Sequence, residues 1–225
     1  MKDLLAAIFD NDRTKVQQLL KADVALATCL AKKDIPYDGK IVHWFYVGDT
    51  ALHLAAAGYR VDIVRMLLTA GANPNSVQNR RKSGPLHYAA DGYINSSSWN
   101  AKRQVKTIQC LLDAGADINA LDSNGATPLH RAVRTRCAAA VQFLLKRGGD
   151  PTKKNQSGST AFHLAVQNTG RGGTGEDQVK AAQRRIIKGF LSFGVKTTLK
   201  DGKGKSVVDC AKGDWIHELL LENAP

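Results

Sequence analysis

Four histidines, His53, His87, His130 and His163, combine a reactive residue type with regular spacing. A neutral imidazole ligates zinc, and one titrating near neutrality serves as a general base. Their separations are 34, 43 and 33 residues, so each falls in a different structural unit. Stacked helices keep their axes about 8–10 Å apart, whereas zinc ligands converge within about 2.3 Å of one ion. The rings are therefore suited to hydrogen bonds within and between units. No Ser, Cys or Asp stands beside them in the sequence in the manner of a nucleophile and its base.

Two glycine motifs look like phosphate cradles and fail on context. Gly170-x-Gly172-x-x-Gly175 has the dinucleotide spacing, but it follows a helical segment ending near Gln167 where a strand is required. Gly204-Lys205-Ser206 ends like a P-loop, yet Leu199 stands where that loop needs its first glycine. Cys29, Cys110, Cys137 and Cys210 form no C-x-x-C pair and read as reduced, buried, core-filling thiols. No catalytic residue, metal or cofactor is expected, and the chain is not expected to be an enzyme.

The elements around the histidines recur. Gly-Asp-Thr-Ala-Leu-His-Leu-Ala begins at Gly48, Ser-Gly-Pro-Leu-His-Tyr-Ala at Ser83, Gly-Ala-Thr-Pro-Leu-His-Arg-Ala at Gly125 and Gly-Ser-Thr-Ala-Phe-His-Leu-Ala at Gly158. Pro128 suits a first helical position, where its missing N–H is not needed. Downstream of each copy lies a second apolar run. Ile63, Met66 and Leu67 mark one face of such a helix. Gly71, Gly115, Gly148 and Gly194 then end these helices, where a left-handed residue is wanted. Each unit reads as helix, turn, helix and a hairpin-like finger. A unit this small cannot bury its apolar face alone and must stack.

The 33–34-residue period, the Thr-Pro-Leu-His signature and the Gly-Ala-Asp/Asn ending resemble the ankyrin-repeat family from Gly48 to Asp201. The resemblance implies an all-α solenoid with short β-hairpin fingers, about six units including degenerate caps. The expected boundaries are 1–30 for the N-terminal cap helices and 31–47 for an extended finger hairpin. Repeats follow at 48–80, 81–122, 123–155 and 156–201, then a C-terminal cap at 202–225 formed by helices around Val207 and Ile216, with Trp215 closing the core. It also implies a non-enzymatic scaffold for protein binding, whose finger tips and first helices line a concave face.

Three departures stand out. From Leu20 to Thr50 is 30 residues, whereas Leu68 to Gly84 is 16. The surplus includes the β-branched and aromatic run Ile41–Val47, preceded by the turn-like Pro36–Gly39. An enlarged hairpin is expected, with Trp44 and Tyr46 on one face and Phe45 and Val47 on the other. Insertions at Asp91–Ala101 and Thr169–Lys180 fall between the two helices of their repeats.

Charge points to a partner. There are 32 Lys and Arg against 20 Asp and Glu, a net +12, which favours an acidic surface. Fingers carry Arg80, Arg81 and Lys82, then Lys153 and Lys154, then Lys200 and Lys203. Arg131 and Arg134 add to the first-helix row, and Asp122 is expected as a weak spot in an otherwise positive face. With Trp44, Tyr46 and Tyr59 as aromatic anchors, these are the expected contacts to an acidic partner protein. Nucleic-acid or oligonucleotide binding is the alternative; against it, aromatics are 6% of residues and no stacking platform is evident beyond Trp44 and Trp99. No stretch approaches the roughly 20 apolar residues of a membrane span. A cytoplasmic monomer is expected.

Overall fold

The computed structural model describes residues 1–37, 41, 43–92, 99–167 and 177–222. The chain runs α1 (Lys2–Phe9), α2 (Arg13–Ala22), a 3-10 turn (Val24–Ala27), β1 (Ile35–Tyr37), β2 (His43–Phe45), α3 (Ala51–Ala57) and α4 (Val61–Thr69). It continues with α5 (Pro85–Ala90), α6 (Ala101–Asp113), α7 (Pro128–Arg134), α8 (Ala138–Lys146), α9 (Ala161–Val166), α10 (Asp177–Ser192) and α11 (Asp214–Leu221). Two rows result. In one, α1, α3, α5, α7 and α9 touch in succession; in the other, α2, α4, α6, α8 and α10 do. This is the all-α solenoid that the family resemblance implied.

Stacking is what makes these helices stable. From α3 to α9 the first helices have only 6 or 7 residues, well short of the roughly 12–15 at which an isolated helix becomes even marginal in water. Small side chains such as Ala55, Ala89, Ala132 and Ala165 are wholly buried and let this row pack closely. The second helices supply bulk: Ile63 and Leu67, Ile108 and Leu111, Val141 and Leu144, Ile186 and Phe190 are wholly buried. Phe162 stacks on Phe190 with ring centroids 4.7 Å apart, joining the two rows in the last full repeat. One apolar cluster extends from Leu4 to Leu220.

Two devices turn the chain between paired helices. The short turns use a non-glycine residue in the left-handed region: Asn11, Tyr59 and Arg136, with φ of 59°, 52° and 61°. Such a conformation costs about 1–2 kcal/mol, and tertiary bonds hold it. The Tyr59 hydroxyl donates to the Asp91 carbonyl at 2.5 Å. The Arg136 guanidinium donates to the carbonyls of Ala165 (3.4 Å) and Gln167 (3.2 Å). The two repeats with insertions replace the turn with a buried glutamine. Gln104 of α6 donates to the carbonyls of Ala89 and Ala90, and Gln183 of α10 to those of Ala165 and Gln167. Gln104 satisfies helix-end carbonyls of α5, and Gln183 shares the carbonyls of Ala165 and Gln167 with Arg136. The insertion tips at 93–98 and 168–176, including the Gly170–Gly175 motif, lie outside the described residues.

The enlarged finger is an antiparallel hairpin pairing Ile35 with Phe45, Pro36 with Trp44 and Tyr37 with His43. Its expected turn at Asp38 and Gly39 lies outside the described residues. Fingers stack backbone to backbone. Gly48 has a φ of +87°, and a Cβ there would come within 2.3 Å of the Gln78 carbonyl oxygen. Only glycine meets both conditions.

Two expectations need correction. Among the described residues of the C-terminal cap only α11 is a regular helix. Residues 206–210 form a single turn, because Ser206 N–H donates to the Asp209 carboxylate and Asp209 N–H to the Ser206 hydroxyl. Trp215 does pack against the core as expected, half-buried, with the Arg184 guanidinium 5.3 Å from its ring centroid. Among the cysteines only Cys137 is buried; Cys29, Cys110 and Cys210 are partly exposed.

Gln104→Ala should destabilise the array by about 1–3 kcal/mol, since it strands buried carbonyls, and Gln183→Ala by less, since Arg136 still donates to the carbonyls it leaves. Gln142→Ala, on the exposed face of α8, should stay within about 0.5 kcal/mol. Urea unfolding midpoints measure all three.

Candidate partner-binding surface

The repeat histidines set the finger positions. Thr50 N–H donates to His53 Nδ1 at 3.0 Å, Gly84 N–H to His87 Nδ1 at 3.2 Å and Thr127 N–H to His130 Nδ1 at 3.2 Å. An amide can only donate, so Nδ1 is the acceptor and Nε2 carries the proton. That proton goes to the next unit. Nε2 lies 3.0–3.2 Å from the carbonyls of Ser83, Ala126, Ser159 and Lys205, for His53, His87, His130 and His163 in turn. Burial holds the pKa of His53 down at about 3 and lowers those of His87 and His130. These imidazoles are neutral connectors with both nitrogens engaged.

A buried knot of polar groups joins the first finger to the following helices. The Asp49 carboxylate, wholly buried, accepts from Tyr46 N–H (2.7 Å), the Tyr88 hydroxyl (2.7 Å) and the Asn79 amide (2.8 Å). Burial raises its pKa from 3.8 to about 6 despite these bonds. His43 of β2 lies against Tyr88, ring centroids 4.2 Å apart, and its Nε2 is 3.7 Å from Asp91. Arg131 donates to Asp91 at 2.9 Å, to Ser83 Oγ at 3.2 Å and to Asp122 with two nitrogens. Burial alone would raise Asp91, but the His43 ring and the guanidinia of Arg131 and Arg134 outweigh it and hold the pKa at about 2. Nothing in one repeat's sequence reveals this knot, since its members come from four units.

The expected contacts divide accordingly. Arg131 is buried and neutralised by two acids, so it cannot offer charge to a partner, and Asp122 is its counter-ion, not an exposed weak spot. Tyr59 is buried in the turn it stabilises and is no surface anchor. Trp44 and Tyr46 do stack on one side of the finger, centroids 6.4 Å apart. Tyr46 is nevertheless buried, because Arg80 and Arg81 from the next finger lie 4.9 and 5.3 Å from its ring. Phe45 packs into the core, while Val47 lies past the strand end and is exposed. Trp44 remains 53% exposed.

Arg80 is exposed and 3.2 Å from Asp34; Arg134 is exposed and 3.2 Å from Asp91. Arg81 is half-buried, whereas Lys82, Lys153 and Lys203 are exposed. Lys154, also exposed, reaches the Asp201 carbonyl at 3.2 Å, and Lys200 lies 3.9 Å from Asp209. Positive charge thus concentrates on the finger row rather than on the first helices. Lys102, Arg103, Lys106, Lys180, Arg184, Arg185 and Lys188 are exposed along the second-helix row. Among the described residues no helix is long and apolar enough to cross a membrane.

Paired helices stacked in register, joined by fingers whose side chains point outward, define a repeat module for protein–protein interaction. The chain belongs to the ankyrin-repeat family. The profile described as "Ankyrin repeat" matches residues 47–79 and 83–123, and "Ankyrin repeats (many copies)" matches 111–165. The mouse "Ankyrin repeat and SOCS box protein 6" is 36% identical over 84 residues, covering 37% of this chain and 18% of that protein. The Arabidopsis thaliana "E3 ubiquitin-protein ligase KEG" is 36% identical over 85 residues, 38% of this chain and 5% of its own length. The human "B-cell lymphoma 3 protein" is 28% identical over 149 residues, 54% and 30% respectively. The chain spans less than a third of each of these relatives. What they share with it is the repeat array.

Arg131→Met should cost about 3–5 kcal/mol, because it leaves buried carboxylates without their partner, whereas Arg134→Ala at the exposed end should cost under about 1 kcal/mol. Asp49 supplies a pH signature. Its folded pKa of about 6 exceeds the ordinary 3.8, so protonation favours folding. Its contribution is complete below about pH 4 and lost as pH rises through 6. The stability difference between wild type and Asp49→Asn, from denaturant midpoints, should favour wild type most at pH 4 and level off above about pH 6.5.

Proposed function

We propose that this array is a non-enzymatic scaffold that holds an acidic partner protein along its finger row, with Trp44 as the aromatic anchor. The carrying observation is that exposed cations recur from finger to finger: Arg80 and Lys82, then Lys153 and Lys154, then Lys200 and Lys203, with half-buried Arg81 beside the first pair. Exposed charges of one sign steer an oppositely charged surface and fix its register, and a large rigid aromatic supplies contact area at small entropic cost. Tyr46, Tyr59 and Arg131 enter this reading as supports that hold the row in shape. The chain acts as a cytoplasmic monomer in this reading.

The alternative partner is an oligonucleotide, favoured by the Trp44–Tyr46 stack with two guanidinia over Tyr46. A single exposed ring is a small stacking platform, so the protein partner is preferred.

The test is affinity capture from native lysate with wild type and with Arg80, Arg81 and Lys82 all changed to Glu. Exposed ion pairs contribute about 0.2–1 kcal/mol each, so the triple change should weaken binding of the captured protein about tenfold or more. Undiminished capture would remove the finger row from the site. Nuclease-sensitive capture whose affinity falls steeply with salt would favour the oligonucleotide.

A further inference from the structure

The two insertions frame one helix start on the side of the array away from the fingers. The first is followed by Trp99, just ahead of α6, and the second by Asp177, the first residue of α10. Between them stands α8, which packs against both helices and is entered through the tight turn at Arg136, with no insertion of its own. The three elements enclose a recess of about 470 Å³. Its floor is low because α8 begins with Ala138 and Ala139. One wall carries the partly exposed indole of Trp99, and the other, on α10, carries the exposed Arg185. Arg136 lies at the base.

The groups around this recess are already held in place. Trp99 Nε1–H donates to Gln104 Oε1 at 3.1 Å, and that glutamine is itself fixed by the carbonyls of Ala89 and Ala90. Gly92 makes room for the ring, since a Cβ there would fall 2.9 Å from Trp99 Nε1 and closer still to Cys137 Sγ. Arg136 is buried and anchored by the carbonyls of Ala165 and Gln167. It stays a cation at neutral pH, although burial lowers its pKa to about 10. Arg185 donates through Nε to the Ala181 carbonyl at 3.3 Å, and among the described residues no carboxylate pairs with it. Two guanidinia against the one carboxylate of Asp177 leave the lining net positive.

We infer that this recess binds a flat aromatic ring bearing a carboxylate, the ring against Trp99 and the carboxylate on Arg185, with Arg136 behind it. A concave site of this volume, with apolar walls and a few fixed polar groups, has the form of a small-molecule site. Aromatic rings pack on one another with a gain beyond their buried area, and a guanidinium receives a carboxylate through parallel N–H bonds. Because the indole and the Arg136 guanidinium are fixed beforehand, a ligand loses little in ordering them. The same two groups, ring and carboxylate, are presented by a free aromatic acid and by the C-terminal aromatic residue of a peptide. The site lies apart from the finger row and does not rest on the protein-binding reading above.

The experiment follows the indole N–H resonances of the three tryptophans in the isotopically labelled chain, assigned from Trp44→Phe, Trp99→Phe and Trp215→Phe. Naphthalene-2-carboxylate should shift the Trp99 resonance saturably and leave those of Trp44 and Trp215 in place. The neutral naphthalene-2-carboxamide should bind about tenfold more weakly, since it forgoes the charged hydrogen bonds. Arg185→Ala should weaken the acid about tenfold, to the level of the amide, and Arg185→Glu should favour 2-naphthylmethylammonium instead. Ala139→Phe, which fills the floor from an exposed helix position, should abolish the shift. Both substituted positions are exposed, and circular dichroism melts check that each variant stays folded. Acetyl-Ala-Phe with a free C-terminus distinguishes the two sources: binding tighter than the naphthoate assigns the site to a peptide end, and weaker binding assigns it to a free aromatic acid. A Trp99 resonance that neither acid shifts would overturn the site. So would acid and amide of equal affinity for wild type, or an acid affinity that Arg185→Ala leaves unchanged.

Discussion

From α3 to α9 each unit passes one hydrogen bond to the next through a histidine ring. At His53, His87 and His130 the ring accepts from an amide at its own helix start on Nδ1 and donates through Nε2 to the carbonyl that precedes the next helix. Both ends of this link are buried, so neither can exchange its partner for water without cost. The link fixes where each finger returns to the stack, and the outward-facing side chains inherit that placement. Protonation would turn Nδ1 into a donor facing another donor. Burial in apolar surroundings prevents that by holding the ring pKa down.

The second constraint lies in the charged knot around Arg131. It resembles a functional cluster in composition, with two acids, an arginine, a histidine and tyrosines nearby, but its bonds are spent on one another. Asp91 binds Arg131 and Arg134 and lies beside His43, and its backbone carbonyl accepts the Tyr59 hydroxyl. The knot ties the enlarged finger to the third full repeat across two intervening helices. Asp49 and Asp91 also pull in opposite directions with pH, one raised and the other lowered, so the finger base is held by acids with opposite protonation preferences.

How far this was legible in the sequence depends on whether a feature repeats. The Thr/Gly-x-x-His spacing and the apolar second-helix pattern occur four times, so the two helix rows could be read from periodicity, as could the hairpin from its β-branched and aromatic run. Burial of single residues could not. Arg131 looks like Arg134 in sequence, three positions along one short helix; one side chain faces the stack and the other faces solvent. Tyr59 and Arg136 gave no sign that they occupy left-handed turns, because tertiary bonds pay for conformations that local preference disfavours. A signal for the insertions was present and unused: Gln104 and Gln183 stand near the start of the second helix in the two repeats that carry them.

The finger geometry explains why its surface is free to vary along the row. Each turn is closed by an Asn or Asp side chain bonded to its own backbone, with the glycine that follows relieving the crowding against the neighbouring finger, as where Gly158 lies against Gly202. These two positions carry the structural load. The residue before the Asn or Asp contributes backbone bonds that any side chain allows, and its side chain meets solvent. Leucine at one finger and lysine at another therefore leave the fold unaffected. A leucine exposed at such a position gains nothing from hydration, and the array does not need it for packing.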